Sequence, residues 1–175
     1  MRQKFLALLL MLLAGQAIAL PDAVRAVRSD WHEWGNGEMT WFGFSLYRAT
    51  LWVSGQKDGR LSAESPFALA LEYRRDIAGD QIVRASVDEM RKLGASEAQL
   101  QTWAVEMRRV FPDVKKGDVL TGVYLPGNSA RFFHQGREIG EVRDAEFARR
   151  FFAIWLDPKT SSPDVRAALL RLPEG

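Results

Sequence analysis

The sequence specifies an α+β domain in which an open-faced antiparallel β-sheet is covered on one face by a layer of α-helices. Three observations carry this reading. Apolar and β-branched or aromatic residues alternate through Glu38–Val53 and Phe67–Arg74, the period changes to 3.6 through Gly79–Phe111, and the same change recurs in the second half of the chain. The order is therefore strands, two helices, strands, two helices, which suits an α+β fold. The apolar content of 47 %, with ten Phe and six Trp, is enough for one sizeable core in one domain.

The chain opens with the cations Arg2 and Lys4, an uncharged apolar run from Phe5 to Gly15, and the small-x-small triplet Ala17-Ile18-Ala19. These are the parts of a cleavable secretory signal peptide, residues 1–19, with the cut after Ala19. The apolar run falls short of the ~20 residues that cross a bilayer. There is no cysteine to carry a lipid anchor. Residues 20–175 are accordingly expected as a soluble, periplasmic, monomeric domain with no membrane span left after cleavage. The absence of disulfides in an exported domain of this size suits a bacterial envelope. Once Arg2 and Lys4 leave, 22 basic residues face 22 acidic ones, and a formally neutral chain gives no case for nucleic acid as a partner.

The elements follow in order. Asp22–Ser29 can form one or two amphipathic helical turns, and Trp34-Gly35-Asn36-Gly37 signals a turn. Glu38–Val53 reads as one long bent strand or as two, with Gly43 as a bulge. A turn is expected over Gly55–Gly59, then a strand over Phe67–Arg74. Gly79–Leu93 reads as a helix with Ile82, Ser86, Met90 and Leu93 in one stripe, capped by Gly94. Ser96 and Gln99 make a capping box for a second helix whose apolar face is Leu100, Trp103, Ala104, Met107 and Phe111, stopped by Pro112. Strands follow over Val119–Leu125, Ala130–His134 and Glu138–Val142. Asp144 caps a third helix, with Phe147, Phe151, Ile154 and Trp155 on its core face. Ser162-Pro163 opens the last helix, with proline where its missing N–H costs nothing.

Several chemistries find no support. The two histidines, His32 and His134, have no cysteine or i, i+4 partner, so no metal or cofactor is expected. His32 is assigned to a loop between Trp31 and Trp34, and His134 to an exposed hairpin end. Gly35-Asn36-Gly37 is too short for a phosphate loop, and no nucleophile motif is present.

The segments Gly43–Trp52 (GFSLYRATLW), Phe111–Asp118 (FPDVKKGD) and Phe151–Pro158 (FFAIWLDP), with Ser162-Pro163 after them, resemble bacterial chalcone isomerase-like proteins across nearly all of residues 20–175. The resemblance implies a ligand cleft between the long strands and the first helix pair. It leaves two functions open, because plant members close a chalcone to a flavanone while non-catalytic members bind fatty acids in the same cleft. The plant enzyme's strand Arg corresponds to a position near Asn36, and no Arg or Lys lies between Ser29 and Tyr47. Its Thr corresponds to Arg48, before Ala49, and its helix Tyr, Lys and Asn correspond to Ile82, Ala85 and Glu89. A slip of one residue in that helix brings Arg84 to the Lys position. Without the donors that meet the developing oxyanion, efficient chalcone cyclisation is not expected.

The residues then nominate a ligand site of Arg48, Thr50, Tyr73, Arg84 and Glu89. Phe44, Leu46, Arg48, Thr50 and Trp52 share one strand face. If that face looks into the cleft, Arg48 needs an anion, either a ligand carboxylate or a structural partner such as Glu72 or Glu89; otherwise it lies on the solvated side of the sheet. Tyr73 offers a hydroxyl to the same ligand. The first expectation is a non-catalytic binder of a small amphipathic ligand such as a fatty acid. The alternatives are an isomerase or lyase acting on a conjugated carbonyl compound, and an envelope interaction protein whose cleft is filled by its own side chains.

Overall fold

The computed structural model describes residues 19–55 and 64–173. Most of the expected signal peptide, and the turn residues after Gly55, lie outside the described residues. The described chain runs α1 (Asp22–Arg25), β1 (Trp31–Trp41), β2 (Phe44–Ser54), β3 (Phe67–Tyr73), α2 (Gly79–Lys92), α3 (Glu97–Val110), β4 (Val119–Leu125), β5 (Ser129–His134), β6 (Arg137–Val142), α4 (Ala145–Leu156) and α5 (Pro163–Leu170). The six strands form one antiparallel sheet in the order β1-β2-β3-β4-β5-β6, so the α2–α3 excursion returns the chain beside the strand it left.

The alternation within each strand decides which residues meet the helices. Tyr47, Ala49, Leu51 and Val53 of β2 stand opposite Tyr73, Leu71, Leu69 and Phe67 of β3. Leu71 and Phe67 in turn face Leu120 and Tyr124 of β4. These inner-face residues join Val83 and Met90 of α2, Leu100, Trp103 and Met107 of α3, and Phe147, Phe151 and Trp155 of α4 in one core. Asp144 accepts from the N–H groups of Glu146 and Phe147 at the start of α4, and its other carboxylate oxygen accepts from the Trp103 indole N–H at 2.9 Å. The Ser96–Gln99 capping box opens α3 as the spacing predicts.

The sequence reading needs four corrections. Trp34–Gly37 is not a turn but runs through β1. Its glycines serve close approach, since a Cβ on Gly35 would lie 2.5 Å from the Leu169 carbonyl of α5 and one on Gly37 3.0 Å from the Ala168 Cβ. Glu38–Val53 takes the two-strand alternative, but Gly43 is no bulge: it lies in the hairpin turn that separates the strands. The β1–β2 pairing is irregular at two other places, Trp34 of β1 and Leu46 of β2, where two steps along one strand match one along the other. His32 lies within β1 with its ring edge-on to Trp34, and His134 is half-buried, its Nε2 2.9 Å from Asp118.

The opposite face of the sheet is partly covered as well. Leu20 and Val24 pack on Ala68, Val123 and Phe133. The Trp31 indole N–H donates to the Val24 carbonyl at 3.1 Å, tying this segment to β1.

Candidate functional site

Between the inner face of the sheet and the helices lies an open cleft of about 890 Å³. Its floor is Tyr47 and Leu46 of β2, Leu71 and Tyr73 of β3, and Leu120 of β4. One wall is α2, through Ile82, Ala85, Ser86 and Glu89, and the other is α4 and the start of α5, through Phe151, Trp155 and Val165. The bulge at Leu46 reverses the strand alternation there, which is why neighbours Leu46 and Tyr47 both reach the cleft.

Two tyrosines supply polar atoms in this apolar floor. Their rings meet edge to face at 5.8 Å. The Trp155 indole N–H donates to the Tyr47 hydroxyl at 3.0 Å, which leaves the phenolic hydrogen of Tyr47 free to donate elsewhere. Tyr73 is 3 % exposed, and its hydroxyl has no hydrogen-bond partner among the described residues. Burial pushes the Tyr47 phenol up to about 12, and burial followed by the neighbouring Tyr47 pushes Tyr73 higher still. Both are therefore neutral donors at any physiological pH. They can hold a carboxylate or carbonyl oxygen but cannot act as phenolate bases.

The rim is charged. Glu89 is ion-paired with Lys92 at 2.7 Å, and Asp76 accepts from the Lys116 backbone N–H at 2.9 Å and from the Lys115 ammonium at 3.1 Å. Those contacts, the backbone donor foremost, hold the Asp76 carboxyl below its ordinary value. Arg75 lines the same rim two residues beyond Tyr73 and has no carboxylate partner among the described residues.

The five nominated residues separate. Tyr73 and Glu89 line the cleft, as do Ile82 and Ala85. Arg48 and Thr50 do not. They lie on the opposite face of the sheet, where Arg48 stands between Glu38 and Glu72 in register and donates to the Asn36 side chain at 2.8 Å. Arg84 is on the solvated side of α2, paired with Asp80. Sequence reasoning missed Tyr47, Trp155 and Arg75. A second depression of about 660 Å³ between α3 and β6 is lined by side chains already bound to one another, Arg109 to Glu106 and Arg143 to Glu141.

Comparison with known proteins places this architecture. A family model described as chalcone isomerase-like matches residues 14–171. A Haemophilus influenzae protein described as uncharacterized is 28 % identical over 140 residues, covering 80 % of this chain and 68 % of that protein. The crystal structure of a fatty-acid binding protein from Arabidopsis thaliana superposes with a TM-score of 0.61 at 14 % identity, covering 82 % of this chain and 88 % of the other. At that identity the likeness speaks for the fold. Among the described residues no helix is long and apolar enough to cross a membrane.

Proposed function

The chain belongs to the chalcone isomerase-like family, and we propose that it is a non-catalytic periplasmic binder of a long-chain fatty acid or a similar amphiphile, held in the cleft between sheet and helices. The observation that carries this reading is the division of labour in the cleft. An apolar floor carries two neutral tyrosine hydroxyls, and a cation without a carboxylate partner among the described residues sits at the rim. Its volume lies within the range of about 300–1,000 Å³ of small-molecule sites. The acyl chain takes the apolar walls, where each buried CH₂ contributes about 0.8 kcal/mol. The carboxylate meets Arg75 together with the Tyr47–Tyr73 hydroxyls, all of which donate. The fatty-acid binding protein of like fold supports this ligand class.

The geometry disfavours cyclisation of a conjugated carbonyl compound. Arg48, the cation through which an isomerase or lyase would stabilise developing negative charge, is on the far face of the sheet. Native mass spectrometry of the protein recovered from cells expressing the full sequence, with organic extraction of what it carries, tests the proposal. One amphiphile bound per chain is expected. A chain that carries none, and takes up none when incubated with long-chain fatty acids, would overturn it.

A further inference from the structure

The β1–β2 hairpin ends in Trp41-Phe42-Gly43-Phe44, and three of these four residues are large aromatics turned to solvent: Trp41 is 59 %, Phe42 83 % and Phe44 66 % exposed. The only other large apolar side chains so exposed among the described residues are Val105 and Leu172, which stand singly. The tip is not a frayed end. Trp41 and Phe44 are paired in register, the Trp41 and Phe42 rings meet edge to face at 4.8 Å, and the two-residue loop has φ of 47° at Phe42 and 77° at Gly43. Such a loop favours Asn-Gly, because both positions must be left-handed. A phenylalanine held in the left-handed region breaks the local rule, and a broken local rule with an exposed side chain is where a functional demand is to be sought.

Two further observations identify what meets this tip. β3 ends at Tyr73, opposite Tyr47, so the hairpin beyond that point projects past its neighbour as a narrow two-stranded ribbon, uncharged from Met39 through Tyr47. Three rings of about 200 Å² each, some two-thirds exposed, offer about 400 Å², half of the ~800 Å² a partner contributes to a standard protein interface. Aromatic side chains on a slender projection do suit the boundary of a lipid bilayer, where rings settle at headgroup level. Met39, Thr40 and Trp41 also line the cleft, so the tip and this end of the cleft form one continuous surface. We propose that this hairpin is a membrane-docking element that inserts its aromatic tip into a lipid surface and sets this end of the cleft against it. Docking stands whether or not the cleft holds a fatty acid; exchange of a ligand with the bilayer rests on the carrier reading.

The rim near the tip is of mixed sign, with Arg74 bonded to Glu38 and Glu72 and Lys92 to Glu89, so docking should not depend on anionic lipid. The test is co-sedimentation of the protein with vesicles of phosphatidylethanolamine and phosphatidylglycerol, and of phosphatidylcholine alone, at low and high salt. The wild-type protein is expected to bind both vesicle types with little loss at high salt. Phe42→Asn with Phe44→Ser is expected to lower binding by about tenfold or more while fatty-acid uptake is retained. Phe42→Asn alone serves as the folding control and should melt at or above the wild-type temperature, since asparagine suits the turn. The proposal is overturned if the wild-type protein stays in solution with both vesicle types, if the double variant binds as well as the wild type, or if the tip instead drives self-association in the absence of lipid.

Discussion

A tyrosine that stays neutral keeps its phenolic hydrogen for donation, and the spectrum of the protein at high pH reports that state directly. All three tyrosines, Tyr47, Tyr73 and Tyr124, are shifted upward by burial, Tyr47 to about 12. A phenol whose folded value exceeds its unfolded value of ~10 stabilises the fold fully below pH 10, and that contribution is lost as pH rises through the folded value. Absorbance titration should accordingly show Tyr47 and Tyr73 un-ionised at pH 10 in the folded protein, and stability should fall between pH 10 and 12. Ionisation of two or more tyrosines at the ordinary value would place a cleft phenol in water and contradict the site. At this scale the sequence was half legible. Tyr73 was visible from its place at the end of an alternating strand. Arg48 was misplaced because alternation defines two faces of a strand without saying which one the helices cover. That same alternation carried the missed signals: Tyr47 is next to Arg48 on the other face, and Arg75 follows Tyr73 at the spacing of residues on one side.

Among the elements, β1 shows why glycines mislead. Gly35 and Gly37 sit beside Asn36 in a pattern that usually means a turn, yet they lie in extended backbone and admit α5. Gly35→Ala would bring a Cβ to 2.5 Å from the Leu169 carbonyl, so α5 must move, and α5 is one end of the cleft wall. A loss of about 1–3 kcal/mol is expected by denaturant unfolding, with weaker ligand binding in the same variant. A variant as stable as the wild type would mean that α5 does not pack on β1 as described. The helices were the most legible elements because their boundaries are chemical. Ser96 with Gln99, Asp144, and Ser162-Pro163 each mark a start that local hydrogen bonding or a fixed φ dictates, and the structure starts helices at all three. The hairpin tip was illegible as a turn because Phe-Gly stands where Asn-Gly would announce one.

For the molecule as a whole, the switch of hydrophobic period was sufficient to give the layered α+β architecture, while strand order needed the three-dimensional fold. A six-stranded antiparallel sheet in sequence order with α2 and α4 packed on the same face leaves a groove between them over the ends of β2 and β3. The opposite face is held by Leu20 and Val24, directly after the expected cleavage position, so the domain is expected to begin at Leu20. Mass spectrometry of the exported protein should give a chain starting there; a chain retaining residues 1–19 would contradict the periplasmic reading. The central claim is that the cleft binds a fatty acid through its tyrosines and Arg75. Calorimetric titration of the delipidated protein with palmitate tests it most directly, with Tyr73→Phe, Arg75→Gln and Arg48→Ala run beside the wild type. The expected result is one site per chain, weakened about tenfold by either of the first two changes and untouched by the third. Absence of binding, or binding reduced by Arg48→Ala and indifferent to Tyr73→Phe and Arg75→Gln, would contradict the account.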